Sequence, residues 1–183
     1  MQWWHILIVV IVLIILYIIS TYNKIIKLKA KVENQWSQID IQLKRRFDLI
    51  PNLVNIVKGS TKHESETLEK VIEARNKYLT AGTPEDKMAA NGELSGVMNR
   101  LFSLTESYPD LKANQEFSKI LAEETETENK IAYARQFYTD AVMKYNFKIA
   151  TIPTNIIAKM FGFKPEKPFA ADAEERQNVK IEF

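Results

Sequence analysis

Two short runs hold most of the chain's capacity for chemistry: the acidic Glu123-Glu124-Thr125-Glu126-Thr127-Glu128 and the basic Lys44-Arg45-Arg46. Carboxylates one helical turn apart, such as Glu124 and Glu128, are the material of general acid-base hydrolysis. With cations nearby they have a simpler use, as half of a structural salt bridge. Metal chemistry fails on spacing. His63-Glu64 opens like a zinc-protease motif, but the second histidine would fall at Thr67, and Ser60 stands where a di-iron Glu-x-x-His pair needs its glutamate. Gly59, Gly82, Gly92, Gly96 and Gly162 match neither nucleotide-binding pattern. The chain has no cysteine, which excludes disulfides, thiolate zinc sites and thiol nucleophiles. Lys44-Arg45-Arg46 has no interleaved aromatic platform, so no nucleic-acid partner is expected. These residues predict no catalytic set, no cofactor and no metal.

Both runs must be positioned by helices. From Tyr22 to Val57 apolar residues recur at Ile25, Leu28, Val32, Trp36, Ile39, Leu43, Phe47, Ile50 and Val54, the spacing of a helix with one buried face. Three consecutive cations within that stripe force at least one toward the packed side. A second long helix runs from about Lys112 to Ile149 without Gly or Pro. Its stripe of Phe117, Ile120, Leu121, Ile131, Ala134, Tyr138, Val142, Tyr145 and Ile149 lapses for two turns at the acidic run, so Glu124 or Glu128 should face inward. A buried arginine needs such a partner, and an ion network drawn from Arg45, Arg46, Glu124, Glu126 and Glu128 would answer both interruptions.

The connections are sparse, with five glycines and six prolines in all. Pro51 is expected to kink or restart the first helix, Gly59 to stop it, and Thr61 with Glu64 to open a second as a capping box. That helix reaches about Leu79, burying Leu68, Val71, Ile72 and Tyr78. Thr83-Pro84-Glu85-Asp86 opens a third as far as Thr105, in which Gly92 and Gly96 predict close approach of a neighbouring helix. Ser107-Tyr108-Pro109-Asp110 reads as a turn. A short amphipathic helix from Asn155 to Phe161 follows Pro153 and ends at Gly162. Its Ile156, Ile157, Met160 and Phe161 are expected to cap the bundle, with the membrane surface as the less common fate. Residues 163–183, with Pro165, Pro168 and dense mixed charge, predict a mobile tail, closing on the alternating Val179-Lys180-Ile181-Glu182-Phe183.

Ahead of all this lies an apolar run from Ile6 to Ile19, extended by Trp3, Trp4 and His5 and by Ser20 to Tyr22 to roughly 20 residues, about 30 Å of helix. Trp3, Trp4 and Tyr22 fall where interfacial aromatic belts form. No Lys or Arg precedes the run and no small-x-small site follows it, which favours an uncleaved anchor over a signal peptide. Lys24, Lys27, Lys29 and Lys31 come directly after it, and the positive-inside rule keeps that side in the cytoplasm. The expected organisation is an anchor over residues 1–22, a cytosolic helical domain over 23–162 and a tail over 163–183, single-pass in the inner membrane. With 183 residues, 25 basic and 23 acidic, there is room for one soluble core and no bulk charge to dictate a partner.

Several runs together resemble the LemA family of bacterial membrane-anchored proteins. They are Tyr22-Asn23 with Leu28; Trp36-Ser37-Gln38-Ile39-Asp40 through Leu43-Lys44-Arg45-Arg46 to Asp48-Leu49-Ile50-Pro51-Asn52-Leu53-Val54; His63-Glu64; Ala74-Arg75; Tyr108-Pro109-Asp110-Leu111-Lys112-Ala113-Asn114 with Phe117; Glu124-Thr125-Glu126 with Ile131, Ala134 and Arg135; and Tyr145-Asn146 ahead of Pro153 and Gly162-Phe163. Thr139 stands where the family pattern has Asn. The resemblance implies an all-α fold, with an N-terminal transmembrane helix continuing into an antiparallel four-helix bundle of long helices, and no established enzyme activity or cofactor. Similarity to a protein of magnetosome membrane formation implies a role in organising membrane.

The function expected is that of a non-enzymatic membrane-anchored scaffold or adaptor. The alternatives are a signalling component acting through the span-to-bundle helix and an enzyme without a motif. The partners expected are the lipid bilayer, further copies of the chain in a homo-oligomer, and a protein not named by the sequence. Trp36, Phe47, Met88, Met98 and Phe102 exceed what one four-helix seam consumes, and are the residues expected to form the interaction surface.

Overall fold

The two longest apolar stripes become the two longest helices. A computed structural model describes residues 3–60 and 65–169. Its helices are α1 (Trp3–Ser60), α2 (Ser65–Thr80), α3 (Pro84–Thr105), the single turn α4 (Pro109–Lys112), α5 (Gln115–Ala150) and α6 (Thr154–Met160). No strand occurs among the described residues. The capping box at Thr61 and Glu64, His63, and the alternating residues at the C-terminus lie outside them.

Helix α1 does not break at Pro51. A proline inside a helix removes one backbone hydrogen bond, but Leu53, Val54 and Val57 are buried beyond it on the stripe of Phe47 and Ile50, so packing carries the helix through. Before α3, the Thr83 hydroxyl accepts from the Asp86 amide at 3.1 Å, with Pro84 at the first helical position. Asn114 caps α5, its Oδ1 accepting from the amides of Glu116 and Phe117. The expected turn at Tyr108 instead contains α4, with Leu111 buried.

The chain divides into two compact units. One takes described residues up to Ser37 and from Arg135 to Pro168; the other runs from Gln38 to Ala134. Within the second unit, Ile39, Leu43, Phe47 and Ile50 of α1, Leu68 and Val71 of α2, Leu94, Met98 and Leu101 of α3, and Phe117 and Ile131 of α5 are all buried. Phe47 stacks on Tyr78, ring centroids 4.1 Å apart and planes 6° from parallel. Gly92 and Gly96 correct the expectation of close approach, since a Cβ at either would meet nothing within 4 Å. Gly96 opens onto a groove of about 460 Å³ between α2 and α3, lined by Lys70, Glu73, Ala74, Glu93, Val97 and Arg100.

In the first unit, the residues from Ile6 to Ile19 leave their side chains largely exposed. An 18-residue window of α1 has a mean hydropathy of 2.7, long and apolar enough to cross a membrane. Trp36 packs edge-on against Tyr138, centroids 6.4 Å apart. Helix α6 ends in a Schellman turn: Gly162, at φ 74°, donates to the Lys159 carbonyl and Phe163 to that of Ala158. That turn sends the chain back along α5. The Tyr145 hydroxyl donates to the Lys164 carbonyl at 2.9 Å, the Asn146 amide brackets the Glu166 backbone with bonds of 2.7 and 2.9 Å, and Tyr138 reaches the Lys167 carbonyl. The expectation of a mobile tail from Phe163 onward is therefore corrected for these residues. An Asn side chain presents the same donor and acceptor pair as a peptide group, so it holds an extended segment as a strand partner would.

Candidate functional site

Arg46 falls between Leu43 and Ile50 on the buried stripe of α1, so helical geometry alone aims it inward. Its side chain is 0 % exposed, and that of Glu124 is 3 %. Arg46 Nε donates to both Glu124 oxygens at 3.0 Å, and Nη2 to Glu124 Oε1 at 2.6 Å. Nη1 donates to Asn91 Oδ1 at 2.7 Å and to Ser95 Oγ at 3.0 Å. Glu128 closes the set: its Oε1 lies 3.3 Å from Nη2 and accepts from the Ser95 hydroxyl at 2.8 Å. A guanidinium has five N–H donors in a planar fork, and here each side of the fork meets an acceptor. Two residues of α3 and two of α5 thus converge on a single buried cation of α1.

The neighbouring pair has the same partners in helix and register. Arg45 Nη2 lies 2.6 Å from Glu123 Oε1, but these side chains are 48 % and 31 % exposed. The Glu123 carboxylate, by hydrogen bonding and charge, holds the Arg45 guanidinium above its ordinary value. Glu126 turns away to solvent, where hydrogen bonding and charge from Lys130 lower its carboxyl below the ordinary range. At the core edge, burial pushes the Tyr78 hydroxyl up to about 12, with the charges of Asp40 and Asp48 adding to the effect.

Of the residues expected to form the ion network, then, the structure joins Arg46 to Glu124 and Glu128, pairs Arg45 with Glu123, and leaves Glu126 on Lys130. Asn91, Ser95 and Glu123 were not anticipated; small polar residues on α3 carry no periodic signal of their own. The set surrounds a buried cation with acceptors from two further helices and so fixes the helices in register. Among the described residues, no three His, Cys, Asp or Glu side chains stand together as a metal site.

The expected interaction surface needs correction. Phe47 and Met98 are each only 1 % exposed, consumed by the core, and Trp36, Met88 and Phe102 are half-buried. The large apolar side chains exposed on the first unit's part of α5 are Phe137, Met143 and Phe147. They lie within about a third of the helix circumference, interleaved with the Asp140–Lys144 ion pair. Their signal in the sequence was position: each is an apolar residue off the buried stripe. Trp3, Trp4, Ile6 and Ile19 are exposed along the apolar part of α1, while Tyr22, half-buried, sits against Phe161 and Phe163 with centroids 4.9 and 5.6 Å away.

Comparison with known proteins adds a family. The LemA family profile matches residues 35–183. The chain is similar to Magnetosome protein MamQ 2 of Paramagnetospirillum magneticum, 23 % identical over 195 residues, covering 90 % of this chain and 72 % of that one. It is similar also to Protein LemA of Metamycoplasma hominis, 26 % identical over 161 residues, covering 86 % of this chain and 72 % of its relative. Magnetosome protein MamQ of Magnetospirillum gryphiswaldense is 19 % identical over 173 residues, covering 80 % and 64 %.

Proposed function

This chain belongs to the LemA family, and from that premise we propose that it is a non-enzymatic, membrane-anchored scaffold of the inner membrane, with its helical body in the cytoplasm. The observation that carries the reading is a contrast within the molecule. Its most elaborate polar constellation is centred on the buried Arg46–Glu124 pair and serves to lock helices, whereas Phe137, Met143 and Phe147 stand exposed on α5. A protein that spends its buried charge on rigidity and its surface on apolar side chains is built to be bound. In this reading α1, α2, α3 and α5 form an antiparallel four-helix bundle in the second unit. The occupant of the α5 face is a second copy of the chain or a protein partner, and anchoring in one membrane raises the concentration at which they meet. The magnetosome relatives support membrane as the thing organised.

Two measurements test this. Full-length protein in mild detergent runs as an oligomer or retains a partner, and Phe147→Glu dissociates it with the helical signal intact; a single chain with no retained partner at every concentration removes the scaffold. For orientation, a single cysteine in place of the exposed Thr80 is protected from an impermeant thiol reagent in intact cells, and labelling from outside reverses the cytoplasmic assignment.

A further inference from the structure

Helix α6 is amphipathic in the wrong direction for a water-facing element. Thr154, Ile157 and Ala158 form its buried side. Its outward side carries Ile156, 65 % exposed, and Met160, 62 % exposed, one turn apart, with Ile152 and Phe161 exposed at its two ends. A surface helix ordinarily turns its charged face to solvent. Here Ile157 is buried as expected, but Ile152, Ile156 and Met160 leave most of their surface exposed and Phe161 about half of its own.

What covers them follows from where α6 is held. Tyr22 closes the apolar stretch of α1 that began at Trp3, roughly the 20 residues needed to cross the hydrocarbon core. Its ring packs against Phe161 and Phe163, at 4.9 and 5.6 Å. Phe161 directly follows α6, so the end of α6 stands at the level where the span leaves the bilayer. Charge agrees with that level. Lys24, Lys27, Lys29 and Lys31 follow Tyr22 with no acid before Glu33, and Lys144, Lys148, Lys159 and Lys164 lie between Asp140 and Glu166 with no acid among them. Apolar side chains amid lysines, beside an interfacial aromatic cluster, are the composition of a helix lying in a headgroup layer.

We propose that α6 is a second membrane contact, its Ile152, Ile156, Met160 and Phe161 inserted into an anionic headgroup layer of the leaflet where the span ends. The inference rests on the proposed anchoring of α1, and its test separates the two. Because the chain lacks cysteine, single cysteines at Met160 and Leu13 in the full-length protein take nitroxide labels, and the labelled protein is reconstituted into vesicles of phosphatidylcholine with phosphatidylglycerol. Access of oxygen and of a water-soluble nickel chelate then reports depth. The Leu13 label reads as hydrocarbon core, and the Met160 label reads about 5–10 Å below the headgroup boundary, more open to oxygen than to nickel. Leaving out phosphatidylglycerol draws the Met160 label toward water, and indifference to lipid charge overturns the anionic assignment. Leu13 in the core with Met160 open to nickel overturns the inference while the anchor stands. Nickel access at Leu13 overturns the anchor itself. Met160 labels shielded from both reagents and broadened by one another, at every dilution with lipid, show a second copy of the chain as the occupant and equally overturn a lipid contact.

Discussion

Arg45–Glu123 and Arg46–Glu124 are two ion pairs one residue apart on the same two helices, each with a nitrogen-to-oxygen distance of 2.6 Å. By distance they are twins. By environment they are not, since the first pair is about half exposed and the second is closed off from water. Water screens the exposed pair and competes for its hydrogen bonds, while the buried one has already given up its hydration and depends on every partner being present. Burial therefore decides which of two geometrically similar contacts the fold depends on.

The largest effect that can break this comparison is the loss of one buried partner. Arg46→Leu leaves the Glu124 carboxylate buried without its cation, and the expected loss in urea unfolding is about 3–5 kcal/mol. Arg46→Leu with Glu124→Leu costs much less than the two single losses added, because no charge is left stranded. Additive small losses would place Arg46 in practice with Arg45. Next in size is Tyr78, a second group set by burial. Its folded pKa is raised, so the folded state holds the proton more tightly than the unfolded chain does. That stabilisation is whole below about pH 10 and is lost as pH rises toward 12, a change of about 2–3 kcal/mol. Unfolding measured from pH 9 to 12 should show this slope in the natural chain and lose it in Tyr78→Phe.

A smaller effect of opposite sign is expected at Gly96. A methyl group there meets open space, so Gly96→Ala gains helix propensity without a clash and raises stability by about 0.5–1 kcal/mol. A loss instead would mean that the α2–α3 groove closes on this position. The smallest effect belongs to the exposed twin. Arg45→Ala leaves the urea midpoint unresolved from the natural chain, and whatever it does change fades with added salt; a shift comparable to that of Arg46→Leu would show that burial is not the deciding variable.

The buried half of the comparison was legible in the sequence because a helix stripe makes a definite demand. Arg46 stands where α1 requires an inward residue, and Glu124 and Thr127 fill the two turns in which the stripe of α5 lapses. The rest was silent for physical reasons. Asn91 and Ser95 are ordinary on either face of a helix. Glu126 and Glu123 differ in helical angle but not in type, so composition could not choose between them as the partner of Arg45. Phe47 and Met98 looked surplus because the volume of the core is set by how helices approach, and a stacked Phe47–Tyr78 pair absorbs more apolar surface than a count of positions suggests. The segment from Lys164 to Lys167 reads as polar and proline-flanked, yet its order comes from Tyr138, Tyr145 and Asn146, residues of a different helix.

The guanidinium of Arg46 also constrains how this sequence can drift. Arginine and lysine are commonly exchanged on protein surfaces, where charge is all that matters. A lysine at position 46 would bring three donors on a tetrahedral head to acceptors laid out around a planar fork, leaving buried acceptor atoms of Asn91 and Glu124 unsatisfied, while the half-exposed Glu128 turns to water. The mildest substitution available is closed, and so are stepwise routes that change one acceptor at a time. Position 46 is held by the joint fitness of five side chains on three helices, while Arg45, one residue away, remains free to wander.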